Sequence, residues 1–151
     1  MAVHPFQAQQ VLGQSTTTQT VSTTETTLYT TNLYAQAFVV NLSAVRILGW
    51  GHTINNANAK TLTVYFGGTS HAFTLRTSTA ANFIVEGYIM SDGNGGQNGY
   101  VTVIHGDASA STSEVYTFQA TENNNADIIL KVTGTGGATG DIILYGVTVL
   151  V

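Results

Sequence analysis

Thr61-Leu62-Thr63-Val64-Tyr65-Phe66 alternates with a period of two, so Leu62, Val64 and Phe66 share one face while the threonines and Tyr65 share the other. Such a run is a strand with one side in a core and one wetter side. Gly67-Gly68 closes it, and Asn55, Asn56 and Asn58 precede it. Asparagine tolerates left-handed backbone and hydrogen-bonds its own local chain, which suits a tight connection before a strand that begins near Lys60.

The same grammar extends outward in both directions. Turn chemistry recurs at Asp92-Gly93-Asn94-Gly95-Gly96, at Asn123-Asn124-Asn125 and from Gly134 to Gly140. Between these punctuation marks lie short β-type runs: residues 26–31, 45–50, 72–75, 83–90, 100–105, 115–118, 128–132 and 142–151. Eight or nine strands are expected. No segment of helical length joins a 3.6-residue apolar stripe to a cap, and the single proline leaves strand interiors uninterrupted. Many short strands separated by Gly and Asn turns indicate an all-β fold, an antiparallel β-sandwich or barrel. Its expected core includes Trp50, Leu62, Val64 and Phe66, with the Trp50 indole taking one hydrogen bond. The last run places apolar residues on both faces, which predicts a strand that is central or covered on both sides.

The N-terminal part reads differently. Residues 1–14 are too short and irregular for a core of their own, and the Thr-rich residues 15–31 favour extended structure, with disorder the competing reading. The division is an arm and linker over residues 1–19 and a single β domain over residues 20–151. Val3, Phe6, Val11 and Leu12 are the arm's candidate contacts to the body or another subunit; the alternative is a frayed terminus.

Composition narrows the partners. Of 151 residues, 8% are charged and 43% hydrophobic, so the polar surface is built mainly from Thr, Ser, Asn, Gln and Gly. The four basic residues, Arg46, Lys60, Arg76 and Lys131, are scattered, which argues against nucleic acid. A net charge of −4 and the lack of a long apolar run argue against membrane. The start of the chain lacks a basic, apolar leader pattern, so assembly in a host cytoplasm is expected. Cysteine is absent, which removes disulfides and thiolate chemistry.

Catalytic constellations are equally thin. His4, His52, His71 and His105 lack the spacing of a helical zinc motif, and no Gly-x-Ser-x-Gly elbow is present. Glu86, Asp92, Asp107 and Glu114 are carboxylates whose separation the sequence does not fix. The glycines at 93, 95, 96 and 99 fit neither a dinucleotide fingerprint nor a P-loop, and Asp92, Asn94 and Asn98 lack EF-hand spacing. No cofactor, no metal and no enzymatic activity are expected.

Three segments taken in order carry a resemblance. Thr23-Thr24-Glu25-Thr26-Thr27-Leu28-Tyr29 precedes Arg46-Ile47-Leu48-Gly49-Trp50-Gly51, and Asn55-Asn56-Ala57-Asn58-Ala59-Lys60 leads into the strand that ends Phe66-Gly67-Gly68-Thr69. This series is similar to a jelly-roll-like module of tailed-phage virion proteins, and Gly140 to Val149 resembles the closing strand of such modules. The resemblance covers residues 20–80 well and the rest loosely. It implies a jelly-roll-like sandwich and a virion structural role without catalytic residues, commonly as a homotrimer. The expected role is a capsid cement, or decoration, protein on the capsid exterior, bound to the major capsid protein. The alternative is a tail-fibre or head-fibre module that recognises host glycan through tyrosines such as Tyr65, Tyr88, Tyr100, Tyr116 and Tyr145. The shortness of the region before the first β pattern favours cement.

Overall fold

The computed structural model describes residues 11–35, 38, 44–77 and 80–151. Val3 and Phe6 lie outside the described residues. Eleven strands and no helix are assigned among those described: β1 (Val11–Ser15), β2 (Gln19–Thr20), β3 (Thr26–Leu33), β4 (Ala44–Thr53), β5 (Lys60–Phe66), β6 (Thr69–Leu75), β7 (Ala81–Ser91), β8 (Gln97–Gly106), β9 (Ser111–Ala120), β10 (Ile128–Gly136) and β11 (Ile142–Leu150). They form two antiparallel sheets packed face to face, a β-sandwich. One has seven strands in the order β1-β11-β4-β7-β8-β9, with β2 also on β11; the other has four in the order β3-β10-β5-β6. The chain passes repeatedly between the sheets.

The small sheet follows directly from period-two alternation. Leu62, Val64 and Phe66 of β5 are buried, as are Phe73 and Leu75 of β6 and Ile128, Leu130 and Val132 of β10. The outward positions Thr61, Thr63 and Tyr65 lie beside Thr74, Ala72 and Ser70 of β6 and beside Thr135, Thr133 and Lys131 of β10. This outer face is dominated by threonine.

The large sheet buries Val45 and Ile47 of β4, Phe83, Val85 and Ile89 of β7, Val101 and Val103 of β8, and Ile142, Leu144, Val147 and Val149 of β11. Its inner side chains interlock with those of the small sheet into one core. Phe66 touches both Phe38 and Phe118, at ring-centroid distances of 5.8 and 5.9 Å.

Two expectations change. Trp50 is not a core residue: it is 43% exposed on the outer face of β4. With Val45, Ile47, Gly49 and Gly51 facing inward, a strand's alternation sends Arg46, Leu48, Trp50 and His52 outward. Gly51 is the inward neighbour, and a Cβ there would stand 2.1 Å from the Ile143 carbonyl oxygen and 2.5 Å from the Phe83 ring. Secondly, β1 and β2 fall within the stretch assigned to arm and linker. Val11 and Leu12 belong to β1, hydrogen bonded to β11; Leu12 packs on the core while Val11 is exposed. The last strand, β11, lies inside its sheet between β1 and β4.

Candidate functional site: the outer face of the large sheet

Strand pairing sets the outer face of the large sheet in rows that cross β11, β4, β7, β8 and β9. One row runs Gly146, Trp50, Ile84, Ile104 and Ser113; the next runs Thr148, Leu48, Glu86, Thr102 and Val115; the third runs Leu150, Arg46, Tyr88, Tyr100 and Thr117. Among the described residues eleven large hydrophobic side chains are exposed, and eight of them project from these five strands on this side: Leu48, Trp50, Ile84, Met90, Tyr100, Ile104, Val115 and Tyr145. One side of the sandwich is therefore apolar and the other threonine-covered. The apolar residues are densest along Trp50, Ile84 and Ile104, with Leu48 beside them in the next row.

A bulge shapes one end. The register between β11 and β4 shifts between Leu144 and Gly146, so Tyr145 is an extra residue opposite Trp50. The far edge of the Trp50 indole lies close to Gly146, where a Cβ would be 2.6 Å from it. Tyr145 stacks on His52, with ring centroids 5.6 Å apart and a 2.6 Å hydrogen bond between the Tyr145 hydroxyl and His52 Nδ1. The edge strand breaks at the same place, between β1 and β2.

The only charged side chains in the three rows are Arg46 and Glu86, which pair at 2.9 Å between Nη2 and Oε1. Tyr88 and Tyr100 stack at 6.5 Å. Beside them a shallow depression of about 410 Å³ is lined by Asn98, Gly99, Thr117, Phe118 and Gln119.

The interior offers little room. A cavity between the sheets, lined by Ile47, Val64, Phe66, Ile89, Tyr116 and Phe118 among others, holds about 10 Å³, enough for about one water molecule. The histidines have different settings: His52 on the outer face, His71 stacked on Tyr116 at 4.0 Å with Nε2 3.3 Å from Glu114, and His105 buried, accepting from the Arg76 backbone N–H. His4 lies outside the described residues. Burial pushes the His105 imidazole below its usual pKa; the positive charge of Arg76 adds to this and Glu114 opposes it. Each of the four carboxylates considered from sequence is engaged locally: Glu86 pairs with Arg46, Asp92 caps a turn at the Asn94 and Gly96 N–H groups, Asp107 meets Arg76, and Glu114 meets His71. Among the described residues no group of three or more His, Cys, Asp or Glu is placed to hold a metal ion.

A buried polar knot was not anticipated. Lys60, fully buried, donates from Nζ to Asn56 Oδ1 at 2.7 Å and to the carbonyl oxygens of Asn56, Asn58 and Thr77. Asp141, also fully buried, accepts from Asn56 Nδ2 at 2.6 Å, Asn58 Nδ2 at 3.0 Å and the Ala138 N–H at 2.9 Å. Burial alone raises the Asp141 carboxyl; the hydrogen bonds from Asn56, Ala138 and Asn58 and the charge of Lys60 outweigh it and hold the group below its ordinary pKa. The asparagines read as turn formers are thus also the bridge between a cation and an anion. Their concentration just before a lysine was the available signal, but nothing local links them to Asp141, over 80 residues away.

The chain matches no protein-family model, no curated protein and no solved structure.

Proposed function

We propose that this protein is a non-enzymatic structural component of a tailed-phage virion, a decoration protein that sits on the capsid exterior as a homotrimer and braces the major capsid protein lattice. The observation that carries this reading is the exposed apolar face of the large sheet. It suits a molecule that works by packing against protein, since a free soluble domain rarely keeps so many large hydrophobic side chains on one side. The threonine-rich opposite face supports the same reading, being suited to solvent at low charge. The phage-like segments around Leu28, Trp50 and Lys60 supply the choice of a virion as the setting.

Copy number in purified particles tests the proposal. Hundreds of copies per head are expected, together with heads that lose their contents at lower temperature when the protein is left out. A few copies per particle would replace decoration with a fibre role.

One observation favours that second reading. The Tyr88–Tyr100 pair stands beside the depression lined by Asn98, Thr117 and Gln119, a combination of flat aromatic and amide groups suited to sugar. Reproducible binding of one host polysaccharide on a glycan array, lost in Tyr100→Ala, would establish the glycan-binding role.

A further inference from the structure

We propose that the outer face of the large sheet is the surface on which copies of this chain meet one another, so the contact with the capsid lies elsewhere on the molecule. The inference rests on the assembly role proposed above and assigns it a surface.

Size is the first argument. Five strands about 4.8 Å apart, each of roughly nine residues at about 3.4 Å, give a footprint of about 700 Å². A stable protein–protein contact removes about 600–1,000 Å² from each partner. The face is therefore large enough for one stable association.

Charge is the second argument. In the three rows the face carries one cation and one anion, Arg46 and Glu86. It is neutral as a whole, and Arg46 and Glu86 satisfy each other within one copy, so the face approaches another copy with no excess of either sign to overcome. A foreign partner with a charged docking surface would find no matching field here. The apolar centre, Trp50, Ile84 and Ile104 with Leu48 and Val115 in the next row, supplies the aromatic and aliphatic anchors that interface cores use.

Trp50 is the only tryptophan of the chain, so it reports on this face without any mutation. In a dilution series of the wild-type protein, light scattering should show an oligomer at micromolar concentration. As the mass falls, Trp50 emission should move to longer wavelength and become more open to acrylamide quenching. The variant carrying Trp50→Phe with Ile84→Arg and Ile104→Arg should weaken association at least about 100-fold while keeping its circular dichroism spectrum, since the changed side chains are exposed. Thr63→Arg with Thr74→Arg, on the opposite sheet, should leave association unchanged. A wild-type protein that stays monomeric at 100 μM (on the order of the highest level at which a specific contact would matter) overturns the inference. So does dissociation with no change at Trp50, or an oligomer indifferent to charges on the large sheet. An oligomer indifferent to them leaves the virion role standing, because that role is judged by copy number in particles.

Discussion

A methyl group at Gly51 has nowhere to go, since the Ile143 carbonyl oxygen and the Phe83 ring both lie inside contact distance of its position. Gly51→Ala should therefore cost about 3 kcal/mol or more in urea unfolding, at the high end of overpacking effects because a backbone atom cannot rotate away. Phe66→Ala should cost about 3–5 kcal/mol by opening a cavity next to Phe38 and Phe118. Trp50→Ala, measured at a concentration where the protein is monomeric, should cost only about 1 kcal/mol, because the indole is 43% exposed. A loss of 3 kcal/mol there would show that Trp50 belongs to the core after all. The parity that placed Trp50 outside was legible in principle: Arg46 and His52 stand at the same alternation as Trp50, while Val45 and Ile47 stand at the other. Residue type suggested a core aromatic; position along the strand decided otherwise.

At the level of elements, the Lys60–Asn56–Asn58–Asp141 knot ties the connection before β5 to the one before β11. Asp141→Ala should cost about 3 kcal/mol or more, since it strands the amides of Asn56 and Asn58 and leaves Lys60 without a nearby anion. The pH dependence has a definite sign. Asp141 and Glu25 are both held below their ordinary pKa, Glu25 chiefly by hydrogen bonds from the Tyr65 and Thr133 hydroxyls. At low pH the unfolded chain then binds more protons than the folded one, so their contribution is complete above about pH 4–5 and is lost as pH falls further. His105, also depressed, adds an earlier loss that begins as pH drops below about 6.5. Unfolding free energy should decline in two stages on acidification, and His105→Gln should remove the first. A profile that rises toward acid would contradict this account. The strands themselves were legible from alternation and turn residues. The exceptions were β1 and β2, whose sequences, Val-Leu-Gly-Gln-Ser and Gln-Thr, show no alternating apolar pattern and which are held in place by pairing with β11.

For the whole molecule the governing fact is low charge combined with one apolar side. Association through such a face is driven by removal of apolar surface from water, so it should persist in 1 M NaCl, on the order of tenfold above the salt that already screens surface charges, and strengthen in ammonium sulfate. Dissociation by salt would point instead to contacts made by scattered ion pairs such as Arg76–Asp107. Because each sheet contains pairs of strands distant in sequence, as β1 with β11 and β3 with β10, refolding should take milliseconds to seconds. Stopped-flow fluorescence of the monomer would check this. The fold class was readable because period-two patterning is a local property. The candidate site was not, because it is a sum over five strands in which each contributes only one or two exposed apolar residues to a face assembled by pairing.

Lys60 and Lys131 are the only lysines, and the fold gives them opposite fates: Lys60 is sealed in the polar knot, while Lys131 stands over the Tyr65 ring on the threonine-rich face. Of the two lysines, amine chemistry on the native protein will thus see Lys131 but not Lys60. Coupling through Lys131 to a bead or sensor surface attaches the molecule by the back of the small sheet and leaves the apolar face pointing into solution. Acylation of Lys60 requires the chain to open, so the mass increment on the peptide containing it is a clock for unfolding that needs no added label.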